Sequence, residues 1–251
     1  MIRILIVIIA VVLFGIYSIF DAIVCFFISL CTKLDLSMHN YNVVRFALKL
    51  GIFISGIDLV VYGKENLELL KGEKAYFVIS NHRGIFDIVT GYTVFDIPLG
   101  IVAKEEMRRV PVIQYWMKKI NCIFLNRKNL RDGMMMVMTC IENIKNGLSM
   151  WIFPEGTRCK SENQLDLLEF KSGVFKIPEK TNCYILPMAF YNTEFVFEKQ
   201  KPFIKPYKVY INIGKPYKIN NLKEEDKNNI SNYSERIMKN LLMEVKEWQM
   251  Q

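Results

Sequence analysis

The chain has 251 residues, 51% of them hydrophobic and 23% charged, with a formal net charge of +8. That length suits one large domain or a domain with an appendage, and the apolar fraction is ample for a core. Excess positive charge asks for an anionic partner; the basic residues are spread out, without aromatic–basic or zinc-finger spacing, which argues against nucleic acid and for anionic lipid.

The amino end is the most apolar part. No residue from Ile4 to Phe20 is charged, and after Asp21 the apolar run resumes from Ala22 to Cys31. About 20 such residues span a hydrocarbon core as a helix. A secretory signal is the competing reading, but the run is too long and no small-x-small cleavage site follows. The segment is read as a membrane anchor, either one span or a bent pair with Asp21 near the bend. Lys33, Arg45 and Lys49 after it, against Arg3 before it, lean toward a cytoplasmic body. A second apolar stretch, Val43 to Val61, carries Arg45, Lys49 and Asp58, which disfavours a second span. It reads either as an interfacial amphipathic helix, with Phe46, Leu50 and Phe53 on one face and Arg45 and Lys49 near headgroups, or as a helix buried in the globular part. Residues 1–60 are therefore taken as anchoring helices and 61–251 as the main domain.

Beyond this region, strand-length apolar runs alternate with helical patterns. Expected strands are Tyr76–Ser80, Gly100–Ala103, Cys122–Asn126, Ser149–Phe153, Cys183–Phe190 and Lys208–Ile213. Expected helices are Ile85–Phe95, Val112–Lys119 and Leu130–Lys145, the last ending at the Asn146-Gly147 cap pair. The Met134-Met135-Met136 cluster with Met138 reads as gap-filling on a packed face of that helix. Ile230, Tyr233, Ile237, Leu241, Val245 and Trp248 recur at helical spacing near the carboxyl end. Strands separated by helices predict an α/β domain with a largely parallel central sheet flanked by helices. Six cysteines without a CxxC pair signal neither a zinc site nor a disulfide framework and fit a reducing compartment.

Two strings carry chemistry. Ser80-Asn81-His82-Arg83-Gly84-Ile85-Phe86-Asp87 follows the first buried strand, and Phe153-Pro154-Glu155-Gly156-Thr157-Arg158 follows another. Ligands of α/β sheets gather at the carboxyl ends of strands. With an ordinary pKa of about 6.5, a histidine there can take a proton near neutrality. Asp87 is close enough to hold one ring nitrogen and leave the other free. Gly84 would permit a tight turn into the next helix. Standing alone, His82 and Asp87 read more readily as a helix cap and a first-turn acid. In the second string Gly156 allows close backbone approach, Arg158 offers a planar fork for phosphate, and Glu155 would orient Arg158 or bond a substrate hydroxyl. An internal Glu–Arg pair in an ordinary turn is the plainer alternative. Arg127, after Ile123 to Asn126, adds a third strand-end cation. Gly-x-Ser-x-Gly, Walker and Gly-x-Gly-x-x-Gly patterns are absent.

Taken together these residues carry a family resemblance. Asn81 to Asp87 resembles the N-H-x4-D block of the glycerolipid acyltransferases, in particular the bacterial 1-acylglycerol-3-phosphate acyltransferases, and Phe153 to Arg158 matches their F-P-E-G-T-R block letter for letter. Cys122 to Arg127 resembles their second, arginine-ended block, and Ile185-Leu186-Pro187 the fourth; Lys104-Glu105-Glu106 and Phe170-Lys171-Ser172-Gly173 fall where similar segments lie. Asn121 and Asn126 stand where a glycine and an acidic residue are expected.

The resemblance implies acyl transfer from acyl-CoA or an acyl-carrier-protein thioester to the sn-2 hydroxyl of lysophosphatidic acid, giving phosphatidic acid in phospholipid biosynthesis. His82 would be the general base and Asp87 its orienting acid. Arg127, Glu155, Gly156, Thr157 and Arg158 would hold phosphate and glycerol, with Asn81, Gly84, Lys104 and Pro187 in support. No metal or cofactor is expected, because the thioester is already activated. The partners implied are membrane lipids and an acyl carrier, at the cytoplasmic face of the cell membrane. The alternatives are another lysophospholipid or glycerol-3-phosphate as acceptor, or a non-catalytic lipid-binding protein.

Overall fold

The computed structural model describes residues 2–32 and 34–249; Lys33, one of the charges used above for orientation, lies outside them. Helix α1 (Ile2–Cys31) is unbroken at Asp21, and its segment Ile2–Ile28 is long and apolar enough to cross a membrane. Among its described residues a narrow stripe is buried: Ser18, Asp21 and Cys25. Asp21 meets His39 Nε2 at 2.9 Å and accepts the Tyr115 hydroxyl at 3.0 Å. The Trp116 indole donates to Ser18 Oγ at 2.7 Å, with the rings of Phe14 and Tyr17 stacked on it. The lone acid of an otherwise apolar helix thus has polar partners on two other elements.

Helix α2 (Ser37–Ser55) packs along one face and is open along another. Phe46, Leu50 and Phe53 are exposed, while Tyr41, Val44 and Leu48 pack into the core. Arg45, expected near headgroups, instead donates to Thr93 O and pairs with Asp96 at 2.6 Å. The apolar run Val43 to Val61 was not one element: Gly56, at φ +69°, turns the chain from α2 into strand β1 (Asp58–Tyr62).

Then follow β2 (Phe77–Ser80), α3 (Ile85–Gly91), β3 (Leu99–Lys104), α4 (Pro111–Lys119), β4 (Ile123–Leu125), α5 (Leu130–Lys145), β5 (Ser149–Ile152), α6 (Lys176–Thr181), β6 (Ile185–Tyr191), β7 (Lys208–Ile213), α7 (Glu224–Asn228) and α8 (Ile230–Gln249). The sheet order is β1-β7-β6-β2-β5-β3-β4. Every neighbouring pair is parallel except β6 with β7, as the alternation of strands and helices predicts. β2 lies centrally, between β6 and β5, and is buried throughout. Its alternate residues serve opposite faces: Phe77 and Ile79 meet α5, α6 and α8, and Val78 meets the side chains of α2 and Tyr92. Of the methionine cluster only Met136 is in that core; Met134, Met135 and Met138 are exposed, so the packing expected of them does not occur.

Candidate active site

The carboxyl ends of β2 and β5, adjacent in the sheet, place the two strings side by side. They are interlocked through the backbone of His82. Its N–H donates to Glu155 Oε1 at 2.7 Å, and its carbonyl accepts from the Cys159 N–H at 2.8 Å. The His82 ring stacks on Phe153, centroids 4.1 Å apart. Its Nδ1 lies 2.7 Å from Asp87 Oδ2.

Asp87 has no exposed surface, and a buried carboxylate needs several donors. Oδ2 accepts from the Arg83 and Gly84 N–H groups at 2.7 and 2.9 Å as well as from His82, while Oδ1 accepts from the Thr193 hydroxyl. With the carboxylate as acceptor, Nδ1 carries the proton and Nε2 is left with a lone pair. Both members of the pair are buried, so neither can swing away to solvent.

Several sequence expectations are corrected in detail. Glu155 neither orients Arg158 nor faces an acceptor. It is buried, and its two oxygens take the backbone N–H of His82 and of Leu168, the latter at 2.8 Å. Burial pushes its pKa up to about 7 despite those two amides. The acid beside Arg158 is Glu198, 3.2 Å from Nη1, whose Oε1 also accepts from the Ile85 N–H at 2.8 Å. Gly84 does not serve a left-handed turn: its φ is −155°. A Cβ there would lie 2.5 Å from Glu198 Oε2, so a larger residue would push the Glu198 carboxylate aside. Gly156 does adopt φ +69°, closing the turn after Phe153. Pro187 is buried inside β6 opposite Ile79, short of the strand end, and Lys104 is paired with Glu106 at 2.9 Å. Asn81 bonds both backbone groups of Phe190, at 2.9 and 2.7 Å, and so ties β2 to β6.

Arg127 and Arg158 come from the ends of β4 and β5. Desolvation lowers the Arg127 pKa, Glu106 opposes it, and the Arg158 charge adds a smaller lowering. Two guanidiniums able to fork onto an anion thus stand at these strand ends, Arg158 paired with Glu198 and Arg127 within the influence of Glu106. Thr157 is exposed, with no side-chain hydrogen bond among the described residues. Asn121, standing where glycine was expected, takes φ +57°, which asparagine tolerates. Asn126 closes a turn by accepting the Lys128 N–H at 3.1 Å.

Three contributors were not picked out from the sequence. Thr193 and Glu198 lie in short turns after β6 that carry no motif. Arg83 sat unassigned within its block. Buried, it donates to the carbonyls of Ser161, Asn163 and Asp166 and shapes the loop that follows Arg158.

A histidine with an acid on Nδ1, and arginines at other strand ends of the same α/β sheet, are features of a group-transfer enzyme. Residues 58–191 match the acyltransferase family, and the chain belongs to it; it is an acyltransferase. The chain is 29% identical over 192 residues to a 1-acyl-sn-glycerol-3-phosphate acyltransferase of Borreliella burgdorferi, covering 76% of this chain and 74% of that one. A Saccharomyces cerevisiae enzyme of the same name is 28% identical over 193 residues, with 76% of this chain and 61% of its own length aligned. The crystal structure of the 1-acyl-sn-glycerophosphate (LPA) acyltransferase PlsC of Thermotoga maritima superposes with a TM-score of 0.75 over 97% of each chain at 23% identity, which establishes the shared fold.

Proposed function

We propose that the chain transfers a fatty acyl group from a thioester to the sn-2 hydroxyl of lysophosphatidic acid, making phosphatidic acid for phospholipid synthesis. The observation that carries this is the His82–Asp87 pair, with Arg158 joined to the same turn through Glu198, which accepts from the Ile85 N–H. The reading also draws on the names of the relatives above.

In this mechanism the arginines hold the acceptor's phosphate and Nε2 of His82 takes the proton of its free hydroxyl. The alkoxide oxygen bonds to the thioester carbonyl carbon, whose π electrons move to oxygen. Collapse breaks the C–S bond, and the departing sulfur recovers the proton from Nε2. Asp87 stabilises the imidazolium in between and fixes the tautomer. The thioester brings its own activation, so the steps as written use no metal or cofactor. Gly156 and Thr157 would border the acceptor, and Glu155 and Asn81 brace the frame.

The donor would be acyl-CoA or acyl-carrier protein, both soluble, while acceptor and product are bilayer lipids. A body at the cytoplasmic face, tethered by α1, meets both. The six cysteines, all unbonded, are compatible with that compartment.

The test incubates wild type and His82→Ala with lysophosphatidic acid and radiolabelled palmitoyl-CoA, then with the carrier-protein thioester. Labelled phosphatidic acid from wild type alone is expected. Product from both proteins alike would overturn the general-base role, and none with either donor would redirect the search to other lysolipid acceptors or glycerol-3-phosphate.

A further inference from the structure

The methionines that fail to join the core raise a question of their own. Leu130, Met134, Met135 and Met138 are 84, 61, 57 and 69% exposed. Positions 130, 134 and 138 fall four apart on α5 and so share one face. A contiguous apolar strip of this kind is uncommon on a surface that meets only water. Lys128 and Arg131, at its near end, are exposed and form no ion pair among the described residues.

Its place in the fold points to the occupant. Helix α5 begins three residues after Arg127, at the carboxyl end of β4. Beyond β4, the turn before α4 leads to α4, whose Trp116 bonds Ser18 of α1. The Arg108 guanidinium lies 4.6 Å over the ring of Phe124 in β4. Val110 and Ile113, at the start of α4, are partly exposed. Val112 Cγ2 would sit 3.6 Å from a Cβ placed on Gly15 of α1. The start of α5 therefore lies at the same sheet edge as Arg127, with β4 and α4 between it and the membrane-length helix.

We propose that residues 128–138 are a second bilayer-contact surface. Leu130, Met134 and Met138 seat among acyl chains, Lys128 and Arg131 meet anionic headgroups, and the Arg127–Arg158 site is held at lipid level between this surface and α1. Unbranched methionine side chains adapt to a fluid apolar medium, and the adjacent unpaired cations match anionic lipid. An acidic carrier protein is the other partner such charges would draw. It would have no need of so large an apolar strip. The link to Arg127 rests on the acceptor reading above; the contact surface itself does not.

Methionine oxidation tests it on the full chain without mutation. Protein in phosphatidylglycerol vesicles, in phosphatidylcholine vesicles, and in detergent with added acyl carrier protein is exposed to peroxide, and each methionine is read by mass spectrometry. Met243, on α8 and 38% exposed, is the internal reference. Relative to Met243, oxidation of Met134 and Met138 is expected to slow by about fivefold or more in phosphatidylglycerol vesicles and by less in phosphatidylcholine. Oxidation at the rate of Met243 in both vesicles, or protection by the carrier protein alone, would overturn the proposal. Equal protection in the two vesicle types would overturn the role given to Lys128 and Arg131. In a second arm, Met134→Glu with Met138→Glu is expected to lower turnover of bilayer acceptor about tenfold and leave a short-chain, monomeric acceptor unaffected. The oxidation pattern needs no activity, so failure of the acceptor reading would show only in this arm.

Discussion

At the scale of single residues the site depends on carboxylates doing different work. Asp87 is surrounded by donors; Glu155 is buried, braced by two amides, and has its pKa raised to about 7 from an ordinary 4.5. Between those values the folded chain holds a proton that the unfolded chain has released. Glu155 therefore makes stability fall as pH rises from about 4.5 to about 7 and level off above, by about 3 kcal/mol in all. Unfolding of Glu155→Gln followed across that range should lack this slope. The variant should also be less stable at pH 5 (about the acid end of the window), because an amide offers an acceptor to only one of the two backbone N–H groups that Glu155 satisfies. A slope identical to wild type would show that another group titrates there. Glu198 acts through its neighbour. Removing its charge by Glu198→Gln loosens Arg158, and the expected result is a several-fold higher KM for the phosphate-bearing acceptor with kcat little changed. A fall in kcat alone would mean that Glu198 serves the reaction at His82 instead.

Between elements, the close fit of α3 to the sheet is what delivers Asp87 to His82. Gly91, one turn after Asp87, lies against the sheet so closely that a Cβ would meet Phe190 Cζ at 2.5 Å and Trp151 Cη2 at 2.7 Å. Gly91→Ala should push α3 outward, lower stability by about 1–3 kcal/mol and reduce kcat together, as read by thermal unfolding and initial rates; an unchanged Tm would mean that the rings yield freely. The elements differ in how legible they were. Strands β2 to β7 stood out because each is a short apolar run between polar turns, and α5 ends where Asn146-Gly147 stops it. β1 was lost because its apolar residues continue those of α2, and only the left-handed Gly56 separates them. α3 was drawn too long because Tyr92 and Phe95 are buried beyond its end, where periodicity cannot tell a helix from a packed loop. The strings bearing His82, Asp87 and Arg158 were readable as local chemistry. Thr193 and Glu198 were not, since they reach the site through folding from 106 and 113 residues further along the chain than Asp87 and Ile85.

For the molecule as a whole, the question is which force holds it to lipid. Two are available: the apolar surface of α1, and a net charge of +8. Each Lys or Arg near an anionic surface contributes about 1 kcal/mol at physiological ionic strength, but at about 0.5 M salt the Debye length shrinks to roughly 4 Å and most of that attraction is lost. Burial of apolar side chains is not screened by salt. Most of the large apolar residues of α1 are exposed in the isolated chain, Leu5, Val12, Ile16, Phe20 and Phe27 among them, while the Ser18–Asp21–Cys25 stripe and the rings of Phe14 and Tyr17 are committed to the domain. Insertion of the remainder should dominate. The chain is therefore expected to float with phosphatidylglycerol vesicles at about 0.5 M salt almost as completely as at low salt. Release by salt would show that α1 stays out of the bilayer and that charge alone brings the catalytic body to its acceptor.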